Sequence, residues 1–288
     1  MQFLNLLLSI TLFLVMTSIG SSIPIRHLGG IFKKPKKIIL GLILQIILLP
    51  LFAFLIVSIS GLSPIYKIGI IILAACPGGT LSNFISYIIK GDTPLSVGLT
   101  STNSLVILLT IPLYVALGFL AFDGSIMNLS LPIGNLIFQV FLLVIIPVLL
   151  GSTLRYFFLK PTLKMQKPLK IISSAFLAIF FVMKFFAAES VTGVGINFNL
   201  ILTIIPWLLI LNIGGFFIGY LISKLFKLNQ KSSTTMGIEI GLQNTILALL
   251  ITDVLLLKPE MGIPALLYGL FTFWTTLLLG FIFIRKKK

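Results

Sequence analysis

Met236-Gly237-Ile238-Glu239-Ile240-Gly241-Leu242-Gln243-Asn244-Thr245 places one carboxylate and two side-chain amides inside a run otherwise apolar enough to sit in lipid. A charge at the centre of a membrane helix costs roughly 2.5–3.5 kcal/mol on insertion scales. A chain that keeps one there, with glycines on either side, has a use for it. What that carboxylate holds is the question the rest of the sequence has to answer.

Around this segment the composition is that of a membrane protein. Of the 288 residues, 58% are hydrophobic and only 9% charged, whereas a soluble domain carries about 25% charged residues to cover its surface. Apolar runs near 20 residues recur along the chain, each long enough to cross about 30 Å of hydrocarbon. The expected fold class is therefore an all-α polytopic membrane protein. Nine transmembrane helices can be drawn, at about 2–22, 37–60, 64–89, 93–120, 131–158, 169–189, 199–223, 232–253 and 261–284. The connections are short and leave no room for a second, soluble domain. The first run has no basic n-region and no clear small-residue cleavage pattern, so it reads as a retained span rather than a signal peptide.

The net charge of +15 raises nucleic acid as a partner, but the basic residues fall in short clusters between apolar runs, the pattern of cytoplasmic loops. No nucleic-acid partner is expected. All of the 21 basic residues except Lys67, Lys184 and Lys258 lie on alternate connections: Arg26 to Lys37, Lys90, Arg155 to Lys170, Lys224 to Lys231 and Arg285 to Lys288. Asp123, Glu189, Asp253 and Glu260 fall on the opposite side. The positive-inside rule places the N-terminus outside and the C-terminus in the cytoplasm of a cell membrane, which an odd number of spans matches. Lys184, inside the sixth span, is expected to snorkel to an interface or approach Glu189. Cys76 is the only cysteine and His27 the only histidine. This excludes a disulfide framework and a cysteine-based metal site, and His27 reads as a solvated loop residue.

Two spans are interrupted. In the third, Cys76-Pro77-Gly78-Gly79-Thr80 should break the helix, because proline removes a backbone donor and clashes with the preceding turn. In the eighth, Gly237 and Gly241 flank Glu239 ahead of Gln243-Asn244. The interruptions are five spans apart and so run in opposite directions. Spans one to four match spans six to nine in order, as in an inverted-topology repeat with two discontinuous crossing helices. Paired broken helices in corresponding halves point to a transport site near the midplane. Ser82, Asn83, Glu239, Gln243 and Asn244 offer oxygens and no soft ligands, as a hard cation requires. Glu239 and Gln243 share a face if the helix continues, and Ser96 and Thr100 repeat that spacing with hydroxyls. Gln45 is an isolated amide within the second span. Each has a plainer reading: a serine or threonine bonding its own backbone, an interhelical amide, a simple proline kink. Glu239 resists one, although a protonated carboxyl would make a proton carrier the rival to a cation site.

Ala75-Cys76-Pro77-Gly78-Gly79-Thr80-Leu81-Ser82-Asn83, with Lys90-Gly91-Asp92 and Leu95-Ser96, resembles the bile acid:sodium symporter family. Glu239-Ile240-Gly241-Leu242-Gln243-Asn244 resembles it too, as does Gly41-Leu42-Ile43-Leu44-Gln45 followed by Pro50. The resemblance covers about Met16 to Gly280. It implies two sodium sites that share Glu239: one from Ser82, Asn83, Ser96, Thr100 and Glu239, the other from Gln45, Glu239 and Gln243 with the backbone carbonyls of Ile240 and Leu242. It also implies a panel (spans one, five and six) beside a core (spans two, three, four, seven, eight and nine), with an organic anion between them. Thr80 and Asn244 are the expected substrate contacts. Sodium serves as coupling ion and no cofactor is implied.

The chain departs from the family in two ways. It lacks the first of the ten spans that many bacterial relatives have. In the last span, Thr272 and Phe273 stand where many relatives carry a His-Asn pair, which puts bile-acid specificity in question. The expected function is sodium-coupled symport of an organic anion, bile-acid-like or a small carboxylate, by alternating access. The rivals are a proton-coupled carrier, an oxyanion exporter using Cys76, and a membrane receptor without transport. An enzyme is not expected, since no nucleophile–base pair accompanies Glu239.

Overall fold

The computed structural model describes residues 2–22, 35–123, 138, 142, 146–186 and 196–285. Among these there is no β-strand. The helices are α1 (Gln2–Ser22), α2 (Pro35–Ile59), α3 (Pro64–Ala75), α4 (Thr80–Ile88), α5 (Thr93–Phe122), α6 (Ile146–Phe157), α7 (Leu159–Phe186), α8 (Phe198–Leu225), α9 (Gln230–Gly241), α10 (Thr245–Leu249) and α11 (Ile263–Ile284). Among the described residues, four stretches are long and apolar enough to cross a membrane: Pro35–Ile59, Phe198–Leu225, Gln230–Leu255 and Pro259–Ile284. Leu6–Ser18, Pro64–Ala75 and Thr110–Phe122 are shorter apolar stretches. Large apolar side chains such as Leu55, Leu120, Trp274 and Leu278 point outward, as lipid permits and water does not.

The stretch that carries Glu239 is the centre of the bundle. In the Gln230–Leu255 span 78% of the most apolar window is buried, against 44%, 33% and 28% in the other three. Every residue of α9 from Ser232 to Gly241 is buried, although the helix is rich in hydroxyls. A helix this polar is stable in that position only if its neighbours bond to it.

Glycines make those neighbours close. A Cβ on Gly219 would lie 2.6 Å from the Met236 carbonyl oxygen, and one on Gly237 2.8 Å from that of Phe216. Gly215 and Gly241 repeat the arrangement one turn along, at 2.8 Å from the Ile240 oxygen and 3.0 Å from the Asn212 oxygen. The two helices thus meet backbone to backbone through small residues four apart on each. Gly237 therefore interrupts nothing: α9 runs through it, and its glycines serve the contact with α8.

Elsewhere α1 packs mainly on α6 and α7, while α2, α5, α8 and α11 surround α3, α4, α9 and α10. Gly20 and Gly151 allow the first contact, since a Cβ on either would come within 2.1 Å of the other helix's backbone. Leu44–Leu48 within α2 and Leu250–Leu255 following α10 are π-helical. The first has a visible cause in Pro50, which has no N–H for the carbonyl of Ile46. The Tyr114 hydroxyl donates to that carbonyl instead, at 2.6 Å.

Several expectations change. The basic segment around Lys160 and Lys164, expected as a connection between the fifth and sixth spans, is the first part of α7; only Phe158 separates it from α6. Short apolar stretches between the lysines let the helix start early, with Lys160 and Lys164 exposed. Lys37 is not a loop residue: α2 begins at Pro35. Asp253, placed outside the membrane by the charge pattern, is buried in the π-helical segment, where Lys184 reaches it at 2.5 Å. A buried ammonium needs a counter-charge more than it needs the interface. Glu189, Arg26, His27, Lys33, Lys34 and Lys286 to Lys288 lie outside the described residues, as do residues 131–145, apart from 138 and 142, of the span expected at 131–158.

Candidate functional site

Both interruptions are real breaks. After α3 ends at Ala75, Cys76 is extended (φ −71°, ψ 153°), and Gly79 (φ −94°, ψ 177°) leads into α4. After α9 ends at Gly241, Leu242 is extended (φ −119°, ψ 117°), and α10 starts at Thr245 with the Asn244 side chain accepting from the Leu247 amide at 3.1 Å. The helix does not continue from Glu239 to Gln243, so the expected shared helical face is absent. Gln45 links the two residues instead, bonding to Gln243 and lining a cavity with Glu239. The backbone amide of Asn244 donates to the carbonyl of Pro77 at 2.9 Å, so the two unwound segments touch.

Glu239 sits where they cross, 3% exposed. Ser96 Oγ donates to Glu239 Oε1, and Thr100 Oγ1 donates to Oε2 at 3.0 Å. The same two hydroxyls reach Asn83 Oδ1, at 2.7 Å and 3.3 Å. Gly78 makes room for the carboxylate: a Cβ there would lie 2.6 Å from Glu239 Oε2 and 3.4 Å from Ser82 Oγ. Ser82 is buried beside it and donates to the Gly79 carbonyl at 2.7 Å. The expected first group of side chains is thus assembled from three elements.

The second group also adjoins Glu239. Gln45, in the π-helical turn of α2, donates to the Cys76 carbonyl at 2.9 Å and to Gln243 Oε1 at 2.7 Å. Gln243 Nε2 donates to the Ile240 carbonyl at 2.8 Å. Leu242, being extended, turns its own carbonyl away from the helical ladder. Gln45, Glu239 and Ile240 line one small cavity. The site therefore offers one carboxylate, three hydroxyls, three amides and freed carbonyls. Among the described residues no three His, Cys, Asp or Glu side chains gather to hold a metal ion. One negative charge among neutral oxygens suits a hard monovalent cation better than a divalent one.

The expected substrate contacts are less defined. Asn244 is buried, its oxygen committed to capping α10, and the Thr80 side chain lies outside the described residues.

The sequence profile of the Sodium Bile acid symporter family matches residues 9–194. The chain belongs to that family. Its matched part includes the first break, and similarity to individual members of the sodium/bile acid symporter family extends further. The chain is 30% identical over 297 residues to the hepatic sodium/bile acid cotransporter of Rattus norvegicus, covering 99% of this chain and 78% of that protein. It is 30% identical over 241 residues to an uncharacterized sodium-dependent transporter of Bacillus subtilis, covering 82% of this chain and 71% of that one. A probable chloroplastic sodium/metabolite cotransporter of Arabidopsis thaliana is 28% identical over 260 residues, which is 87% of this chain but 60% of the plant protein. The family is one of transporters, not of enzymes, and sodium fits as its coupling ion.

Around the site, several polar residues escaped the sequence reading. Asn212 on α8 donates to the Gly241 carbonyl at 2.6 Å and to Thr276 Oγ1 at 3.0 Å, and Tyr268 OH donates to the same carbonyl at 2.5 Å. They satisfy a carbonyl left free where α9 ends. An asparagine in an otherwise apolar span was the available signal. At the far end of α9, Ser232 Oγ donates to Asp92 Oδ2 at 2.7 Å, and Lys37 Nζ to the same oxygen at 3.2 Å. Burial alone would raise the Asp92 carboxyl, but the bonds from Ser232, Lys37 and the Leu95 amide, with the Lys37 charge, hold it below its ordinary range.

Proposed function

We propose that this chain is a sodium-coupled symporter that carries an organic anion into the cell by alternating access. The observation that carries the reading is the position of Glu239: one buried carboxylate at the crossing of two broken helices, held by Ser96 and Thr100. One sodium ion would be bound by Ser82, Asn83, Ser96, Thr100 and Glu239, the other by Gln45, Glu239, Gln243 and the carbonyls of Ile240 and Leu242. Ser96 and Thr100 already point at the carboxylate, so sodium binding would exchange hydrogen bonds for ion–oxygen contacts within an organised site.

The packing of α1 with α6 and α7 supports a panel separate from the core that holds the breaks. The anion would lie between them, near Asn244 and Thr80, with bile acids or smaller carboxylates as candidates. The replacement of the His-Asn pair by Thr272 and Phe273 favours a substrate other than a bile acid. The opposed breaks fit an inverted repeat of nine spans, with the N-terminus outside and the C-terminus in the cytoplasm. Each sodium ion moving through the full potential supplies about 2.3 kcal/mol per 100 mV, and two ions per monovalent anion make transport electrogenic. Cys76 is fully buried and contributes its backbone carbonyl to Gln45, which argues against a thiol-based oxyanion exporter.

The test is uptake of labelled small carboxylates and bile acids into proteoliposomes with a sodium gradient. Uptake that requires sodium and disappears in Glu239→Ala is the expected result, with Cys76→Ser close to wild type. Equal uptake when potassium replaces sodium at fixed pH would overturn the reading.

A further inference from the structure

Asn103 lies on α5 three residues beyond Thr100, on the same side of the helix. It is 3% exposed, and its Oδ1 is a buried oxygen with no hydrogen-bond partner. Leaving a buried acceptor unpaired is destabilising, and an apolar side chain of the same size would avoid that. Among the described residues, hydroxyls on Ser86, Ser223 and Thr234 are also buried without partners, but none of them lines the cavity that Asn103 shares with Gln45, Glu239 and Ile240. The space there for the centre of a water-sized sphere is about 10 Å³, enough for about one water or one bare cation. The rest of the wall is tight: a Cβ on Gly41 would come within 2.3 Å of Leu99 Cδ2.

We propose that Asn103 supplies an amide oxygen to the cation held by Gln45 and Glu239. The inference rests on the sodium-symport reading and adds a ligand to it. Gln45, Glu239, Gln243 and the carbonyls of Ile240 and Leu242 would provide one oxygen each, fewer than the roughly 6–8 that Ca²⁺, a hard cation of similar radius, collects. Asn103 brings a further neutral oxygen without further charge, and so favours a monovalent ion. The position also accounts for the unpaired acceptor: its partner is the ion that passes through.

The full chain in detergent, titrated with sodium chloride against choline chloride at constant ionic strength, tests this by thermal unfolding. Wild type is expected to gain stability with sodium and not with choline; no sodium-specific gain in wild type would overturn the symport reading itself and this inference with it. In Asn103→Leu the half-saturating sodium concentration should rise about tenfold or more, equivalent to about 1.4 kcal/mol. The midpoint in choline should be unchanged or higher, because an unpaired acceptor has been removed. A merely structural asparagine would instead lower the midpoint in choline. A sodium titration in Asn103→Leu that coincides with wild type overturns the inference while leaving the symport reading intact. Asn103→Asp gives a second measurement should the leucine variant not fold. A second carboxylate at the ion should confer stabilisation by calcium that wild type lacks, and wild-type behaviour toward both ions overturns the proposal.

Discussion

The backbone amide of Asn244 donates to the carbonyl of Pro77 at 2.9 Å, so each broken helix satisfies a group that the other has freed. Unwound backbone in a membrane survives only where it is buried in protein or lines a cavity, and here each break is the other's solvent. This explains how a carboxylate can stand at the crossing without being pulled apart by its own neighbours. The contact is fixed by backbone atoms, and what fills the space beside it depends on residues that have little or no side chain.

Gly78 is the clearest of these. A Cβ there would lie 2.6 Å from Glu239 Oε2, so Gly78→Ala must displace the carboxylate rather than a flexible neighbour. The half-saturating sodium concentration for transport should rise by about tenfold, equivalent to about 1.4 kcal/mol. Gly79→Ala is the control, because the nearest atom to its Cβ would be 3.9 Å away. Its sodium dependence should remain within a few-fold of wild type; equal defects in the two variants would mean that backbone freedom, not room for Glu239, is what the glycines supply.

The ion pair of Lys184 and Asp253 has a different signature. The two side chains are 2% and 4% exposed and 2.5 Å apart, joining α7 to the π-helical segment after α10. Removing one partner strands a buried charge, at a cost of about 3–5 kcal/mol, whereas replacing both with apolar groups can be neutral. Lys184→Met and Asp253→Leu should each lower the unfolding midpoint in detergent sharply, and the double variant should recover most of the loss. Additive losses in the double variant would show that the pair is not coupled.

Much of the site was legible because buried polarity is expensive in lipid. Glu239, Gln45 and the Ser96–Thr100 pair stood out against apolar surroundings, and Pro77 with two glycines marked the first break. What was misread depended on partners far away in sequence. Gly237 looked like a helix breaker until its neighbour proved to be Phe216 on α8. Lys184 had a near acidic candidate at Glu189, yet its counter-charge is Asp253, 69 residues away. The early start of α7 was hidden because a lysine-rich helix and a lysine-rich loop have the same composition; only the four-residue spacing of Leu159 and Leu163, each next to a lysine, hints at the difference. The expectation that Glu239 and Gln243 share a helical face failed for a local reason, the extended backbone at Leu242.

Asp92 ties the starts of α2, α5 and α9 through Lys37, Leu95 and Ser232. Its carboxyl is held below the ordinary value of 3.8, so its contribution to stability is fully present above that value and is lost as pH falls through the depressed one. In detergent, wild type should therefore lose a component of stability below about pH 4. Asp92→Asn should start lower at neutral pH and lack that component. Parallel curves for the two proteins across the acid range would show that Asp92 does not titrate with folding.

The carbonyl of Gly241 accepts from two donors, Asn212 Nδ2 at 2.6 Å and Tyr268 OH at 2.5 Å. It is the last carbonyl of α9, and its position sets the direction in which Leu242 and Gln243 leave the helix. Either donor alone can satisfy it, so Asn212→Leu or Tyr268→Phe should each cost only about 1 kcal/mol. Removing both leaves a buried carbonyl beside apolar atoms, and the double variant should lose more than the sum of the single losses, by about 1 kcal/mol or more. Thermal unfolding without sodium reads that excess, and the same proteins titrated with sodium show whether the cap also aligns the ion site. Strictly additive losses would mean that the two donors act on separate parts of the fold rather than on one carbonyl.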